Sequence, residues 1–380
     1  MKRTKLLRWL IISNALWLAG FLAVVAGQSP LALFSSSAQA ALGTATSRAS
    51  ARRTEIVDAA EKVSPSIVSI GASRTTYVVS PFFDFFSDFA IFPYQEKIPY
   101  LGSGVIVSSD GLIVTNYHVV EQANDVFVTL SDGRELPANV LAADSVLDLA
   151  ILKVAATNLP AIKMGDSDDL MVGEWVLAMG NPFGNLIGDP HPTVTVGVVS
   201  ALKRSFRSGG PSPKVYQDMI QTDAAINPGN SGGGLVNTAG ELIGINTFIV
   251  SRSGGSIGIG FAIPVNRVKA MVAEVTKYGH LRPKLVDFRV QNLNAHVARI
   301  LGSQATNGAV VSEIQPRGPA YRAGLRVGDI ITSVNGHEIH SADDILANIW
   351  TQPVGTPIRC EVDRGGKKVT VEFRVTEDHE

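Results

Sequence analysis

The chain has 380 residues, enough for two or three domains, and its 45% hydrophobic content is sufficient for substantial cores. Its formal charge is −1, and four positive charges (Lys2, Arg3, Lys5, Arg8) stand in the first forty residues, where there is no acidic one. The remainder is therefore net acidic and carries no basic footprint for nucleic acid.

Residues 1–40 read as a targeting segment. The basic start runs into residues 9–27, apolar except for Ser13 and Asn14 and long enough to reach across a bilayer. The small-residue site Ala38-Gln39-Ala40 follows, as a cleavable signal would have it. A cleaved signal peptide and a retained inner-membrane anchor both remain open, and either puts the rest of a bacterial chain in the periplasm. Residues 41–53, mostly Ala, Gly, Thr, Ser and Arg, read as a linker. Thr54 then caps a short helix whose apolar face is Ile56, Val57, Ala60 and Val63, with Pro65 ending it.

From 66 to about 265 the pattern is strands and turns. Short β-rich runs occupy 66–70, 102–107, 112–115, 126–130, 147–154, 174–179, 194–201 and 242–247, and their number predicts an all-β barrel or sandwich pair. Residues 81–92 hold too many phenylalanines for a solvated loop, so this insertion is either a covered flap or a docking surface. Residues 265–279 read as a helix with Val268, Met271, Val272 and Val275 at helical spacing. From 285 to about 375 a small module with two helices and five or six strands follows. Its only cysteine, Cys360, lies in the alternating run Pro357-Ile358-Arg359-Cys360-Glu361-Val362, which predicts a buried strand residue rather than a catalytic thiol.

The chemistry gathers on three residues. Gly229-Asn230-Ser231-Gly232-Gly233-Gly234 puts a serine in a glycine-built turn, where the N–H groups of Gly229 and Ser231 can cradle an oxyanion. His118 sits in a tight turn after the apolar strand from Leu112 and is placed to act as base. Asp148, beside Leu147 and Leu149, is costly to bury unless paired, and the Nδ1–H of His118 would satisfy it. Asp144, next to Ser145, fits a turn-capping role instead. The chain order His, Asp, Ser is one of the known orders of this triad. The histidines lack metal-ligand spacing and no Gly-x-x-x-x-Gly-Lys loop is present, so no metal, cofactor or ATP is expected.

Thr115-Asn116-Tyr117-His118-Val119-Val120, Asp148-Leu149-Ala150-Ile151-Leu152-Lys153 and Asn227-Pro228-Gly229-Asn230-Ser231-Gly232-Gly233 resemble the three catalytic motifs of the HtrA/Deg serine proteases. The similarity extends from about 55 to 375, through Gly180-Asn181-Pro182-Phe183-Gly184, Leu242-Ile243-Gly244-Ile245-Asn246-Thr247 and Gly258-Ile259-Gly260-Phe261-Ala262-Ile263-Pro264. It implies a chymotrypsin-like pair of six-stranded barrels with the triad between them. It also implies proteolysis of unfolded or damaged polypeptides in quality control, by homotrimers or larger assemblies. The phenylalanine-rich insertion resembles the family's long regulatory loop, and Arg204 resembles its arginine that relays activation to the catalytic loop. Ile226 lies where the resemblance puts a wall of the primary specificity pocket, which implies a preference for small or medium aliphatic residues.

The run from Arg317 to Gly336 resembles the helix, turn, strand and hairpin of a PDZ domain, and Ser341 with Asp344 forms a capping box for the helix beside its groove. Such a groove takes a peptide as an added strand. The carboxylate loop departs from the PDZ pattern: it reads Leu285, Val286, Asp287 and Phe288, and an aspartate there is expected to repel a C-terminal carboxylate. The resulting division is 1–40 leader or anchor, 41–53 linker, 54–280 protease and 281–380 PDZ domain. The alternatives are a membrane-tethered signalling protease for one substrate and a chaperone or scaffold with little turnover.

Overall fold

Strand formation follows the alternation of apolar residues, and closure of the strands into barrels hides their edges. The computed structural model describes residues 52–78, 94–182, 191–207, 215–227, 229–249 and 256–378. The leader, most of the linker and the phenylalanine-rich insertion lie outside the described residues. Among the described residues no helix is long and apolar enough to cross a membrane.

Helix α1 (Glu55–Val63) buries Ala59 and Val63, and the Thr54 hydroxyl accepts the Val57 N–H at its start. The first barrel comprises β1 (Ile67–Val78), β2 (Tyr94–Ile106), β3 (Leu112–Thr115), β4 (Asp125–Thr129), β5 (Glu135–Asp144) and β6 (Leu149–Val154). They close in the order β1-β2-β3-β6-β5-β4, around a core that includes Val68, Ile70, Ile113, Val128 and Leu152. Between β3 and β4 the predicted tight turn is a short helix, α2 (Tyr117–Val120), which carries His118.

After the two-residue β7 (Lys163–Met164), the second barrel is built from β8 (Trp175–Gly180), β9 (Thr193–Arg207), β10 (Val215–Thr222), β11 (Gly234–Asn237), β12 (Glu241–Ile249) and β13 (Gly260–Pro264). The order β11-β8-β9-β10-β13-β12 is closed by pairing of β11 with β12. Helix α3 (Val265–Tyr278) follows and ends at Gly279, whose φ of 77° gives the left-handed cap that glycine adopts without strain.

Apart from the two-residue β7, four barrel strands lie outside the runs read from the sequence, and each lacks a clean apolar alternation. Strand β5 mixes Pro137, Asn139 and alanines, β10 carries Gln217 and Asp218 through a bulge, and β11 and β13 are short and open on glycine. Strand β6 starts at Leu149 rather than 147, because Asp148 takes φ 54° and turns the chain.

The third module forms a sheet of β15 (Phe288–Asn292), β16 (Ala309–Ile314), β17 (Ile330–Val334), β19 (Pro357–Arg364) and β20 (Lys367–Arg374). Strand β18 (His337–Glu338) makes a hairpin on β17, and β14 (Lys284–Leu285) pairs with β21 (Thr376–Glu377). It has three helices where two are predicted: α4 (Ala295–Ile300), α5 (Pro319–Arg322) and α6 (Ala342–Trp350). The extra helix, α4, is only six residues long, too short for its periodicity to stand out. The capping box of Ser341 with Asp344 is formed at the start of α6.

Both barrels and this module belong to one unit, Asp58–Glu380. Arg282 straps the connection. Its Nε meets Glu274 of α3 at 2.9 Å, its guanidinium lies 4.0 Å from the Tyr278 ring centroid, and Nη1 is 3.8 Å from Glu377 of β21. Helix α6 also packs against β10 of the second barrel.

Asp287 has a structural reason to be an aspartate. It is buried, and its carboxylate accepts the N–H groups of Ala320 and Tyr321 at 3.2 Å each, capping α5. A Cβ at Gly318 would collide with that carboxylate. The carboxylate thus has a structural role at the N-terminus of α5.

Two outcomes are expected. Asp287→Ala leaves two buried N–H groups unmet and should destabilise the third module by about 2–4 kcal/mol, read by urea unfolding monitored at Trp350. Cys360 is fully buried, and burial pushes its thiol up to about 12. It should therefore resist alkylation at pH 8 until urea unfolds the module.

Candidate functional site

Strand β3 is buried throughout and delivers the chain to Asn116, whose extended backbone starts α2 and presents His118 at its second position. Asp148 reaches the same place from the turn before β6. Its carboxylate lies 2.9 and 3.0 Å from His118 Nδ1 and accepts the His118 backbone N–H at 3.2 Å. An ionised carboxylate only accepts, so Nδ1 carries the proton and Nε2 is left with a lone pair. The Asp148 side chain is 2% exposed while that of His118 is 40% exposed: the acid is sealed and the base reaches solvent.

A third donor comes from the second barrel. Thr247 Oγ donates to Asp148 Oδ2 at 2.7 Å, and the carbonyl of the same residue accepts the hydroxyl of Ser231 at 2.7 Å. Thr247 therefore touches both the acid and the nucleophile candidate. Sequence reasoning gave it no role, although a hydroxyl at the end of the apolar run of β12 was the available signal. In this arrangement the Ser231 hydroxyl must leave the Thr247 carbonyl before it can donate to His118.

The glycine turn has the geometry its composition predicts. Gly229 takes φ 94° and Gly232 φ 84°. A Cβ on Gly229 would strike Pro182, and one on Gly232 would strike the Ser103 carbonyl and the Thr115 hydroxyl. The first barrel holds the turn from behind: Ser103 N–H donates to the Ser231 carbonyl at 2.9 Å, and Ser103 Oγ donates to the Gly229 carbonyl at 2.5 Å. Ser103 is a second residue that sequence reasoning missed, since a buried serine in a strand gives no outward sign. Among the described residues, the N–H groups of Gly229 and Ser231 have no acceptor.

Nearby, Phe206 stacks on Tyr216 at 5.5 Å and lies 4.5 Å from the Phe261 ring. Burial, aided by the Asp148 charge, pushes the Tyr216 phenol up to about 12, so it stays neutral beside the site.

The other predicted residues are more dispersed. Ile226 is buried in the second-barrel core and meets the position a Gly260 side chain would take. Arg204 is exposed on β9, across from Met219, and is thus a strand residue. Asp144 caps the turn before Asp148 by accepting the N–H groups of Val146 and Leu147 at 2.9 Å each. In the third module Leu285 ends β14, Phe288 opens β15, and Val286 and Asp287 join them. Among the described residues no group of His, Cys, Asp or Glu has the arrangement of a metal site.

The family model of the trypsin-like peptidase domain matches residues 102–245, and that of the PDZ domain matches 285–375. The periplasmic serine endoprotease DegP of Escherichia coli (strain K12) is 42% identical over 344 residues, covering 83% of this chain and 71% of its own. The periplasmic pH-dependent serine endoprotease DegQ of the same strain is 40% identical over 320 residues, covering 82% and 68% respectively. A solved structure of the HtrA-type protease AlgW with decapeptide shares 37% identity at a TM-score of 0.63, covering 86% of this chain and all of that one. The chain accordingly belongs to the HtrA/Deg family of serine endopeptidases, with one trypsin-like peptidase domain followed by one PDZ domain.

Proposed function

We propose that the chain cleaves unfolded or damaged polypeptides outside the cytoplasm, without ATP, through an acyl-enzyme on Ser231. The observation that carries this reading is the shared hydrogen bonding of one sealed carboxylate, Asp148, to His118 and to the Thr247 that holds Ser231. In the proposed reaction the Ser231 hydroxyl swings from the Thr247 carbonyl to His118 Nε2. Its oxygen attacks the scissile carbonyl while the proton passes to Nε2. Asp148 keeps the tautomer and stabilises the imidazolium, and the Gly229 and Ser231 N–H groups receive the oxyanion. His118 then protonates the leaving amine, and water, deprotonated by the same imidazole, releases the acyl group.

The remaining assignments belong to the same proposal. Ile226 walls the primary pocket, Arg204 relays activation to the serine turn, and Leu285, Val286, Asp287 and Phe288 form the PDZ carboxylate loop. With the Asp287 charge capping α5, this loop is compatible with a peptide carboxylate. The division is a leader or membrane anchor to residue 40, a linker to 53, the protease to 280 and the PDZ domain to the end. Periplasmic location, regulation by the PDZ domain and assembly as a homotrimer or larger complete it. The periplasmic serine endoproteases among the relatives support the location, and polypeptide substrates fit the peptide-bound AlgW structures.

Casein turnover by the wild type and by Ser231→Ala tests the core of this reading. The variant should lose activity by about 10⁴-fold or more, and equal turnover would end the serine-protease mechanism. Thr247→Val keeps the shape and removes the donor to Asp148. A hydrogen bond to a charged group is worth about 1.5–3 kcal/mol, so kcat should fall roughly 10- to 100-fold. Cut sites in a denatured protein, read by mass spectrometry, should follow small or medium aliphatic residues; cuts mainly after Lys or Arg would remove Ile226 from the pocket wall.

A further inference from the structure

One residue of the first barrel holds both ends of the serine turn. Ser103, fully buried on β2, donates its backbone N–H to the Ser231 carbonyl at 2.9 Å and its hydroxyl to the Gly229 carbonyl at 2.5 Å. Gly229 and Ser231 are the two residues whose N–H groups receive the oxyanion in the proposed reaction. Asn230, between them, is held by the turn itself. Its N–H donates to the Asn227 carbonyl at 2.9 Å, and its carbonyl accepts the Gly233 N–H at 3.0 Å. Among the described residues, Ser103 is the one donor to either flanking carbonyl.

The hydroxyl is left with one direction for its hydrogen. It accepts the Asn181 N–H at 2.7 Å, which takes up a lone pair and aims the O–H at the Gly229 carbonyl. The Ser103 carbonyl is fixed in turn by the Thr115 hydroxyl at 2.7 Å. The space around the residue is closed. A Cβ on Gly180 would stand 2.9 Å from the Ser103 hydroxyl, and one on Gly102 would strike Val119, the neighbour of His118 on α2. The same strand is thus seated against the helix that carries the base and against the turn that carries Ser231.

We propose that Ser103 is a positioning residue for acyl transfer: its hydroxyl fixes the Gly229 peptide so that the turn presents its N–H groups to the reacting oxygen. The inference rests on the reading of Ser231 as the nucleophile. Gly229 needs a hold from outside the turn, because a glycine at φ 94° reaches other conformations at little cost. A turn that wanders still admits a peptide but meets the developing charge less well, so the loss falls on kcat and not on KM. Removal of a direct oxyanion donor costs about 10²–10³-fold in kcat, and a hydroxyl acting through one peptide should cost less.

Steady-state kinetics of the whole chain on a quenched fluorescent peptide spanning a mapped casein cut site tests the assignment, with active sites counted by fluorophosphonate titration. A boronate of the residues before that site mimics the tetrahedral state and supplies a second readout. Ser103→Ala should lower kcat about 10- to 100-fold, leave KM within about twofold, and weaken the boronate by the same factor as kcat. Ser64→Ala, which removes a hydroxyl bonded to the Ala60 carbonyl of α1, should match the parent. Thr115→Val keeps the shape, frees the Ser103 carbonyl and should lower kcat about three- to tenfold. Unchanged kcat in folded Ser103→Ala, or in Thr115→Val should the first variant not fold, would overturn the assignment. So would a loss confined to KM, an unchanged boronate affinity, or an equal loss in Ser64→Ala. A Ser231→Ala variant as active as the parent would instead remove the nucleophile on which the inference rests.

Discussion

A carboxylate sealed between two β-barrels must be satisfied on every side, and the site is arranged around meeting that demand for Asp148. Burial of an unpaired charge costs several kcal/mol. Here the side chain is 2% exposed and receives the backbone N–H and imidazole of His118 from the first barrel and the Thr247 hydroxyl from the second. The same bonds that relieve the charge fix the imidazole tautomer and bring the two barrels into register. Stability and chemical readiness therefore depend on one set of contacts, and loss of any donor would weaken both.

The serine turn is constrained just as tightly, but through the backbone. Gly229 and Gly232 take positive φ, and among the described residues the N–H groups of Gly229 and Ser231 have no acceptor. Ser103 and Thr115 brace this turn across the barrel boundary, the latter by donating to the Ser103 carbonyl at 2.7 Å. Such pre-set donors cost no reorganisation when charge develops on a reacting oxygen. The PDZ domain is attached with comparable economy, by the Arg282 strap at the connection and by contacts of α6 and the β18 hairpin on β10.

Much of the site was legible in the sequence because its residues announce their chemistry locally. A serine among glycines, a histidine after an apolar strand and an aspartate flanked by leucines each carry a recognisable tension between polarity and burial. Strands were legible where alternation was clean, as in β3, and obscure where bulges and polar residues interrupt it, as in β5 and β10. The structural role of Asp287 was not legible for a related reason: its partners, the N–H groups of Ala320 and Tyr321, are more than thirty residues away.

Local chemistry determined, from the sequence alone, that this chain carries a serine, a histidine and an aspartate suited to acyl transfer, together with a β-rich core and a small mixed module. Those properties depend on residue type and short-range pattern. Only the tertiary structure decided which groups share Asp148, that Thr247 and Ser103 complete the site, and that His337 comes to rest beside Asp218. Each of those facts joins segments separated by some 100 residues or more, where no periodicity or spacing connects them and the closing of barrels and the docking of domains does.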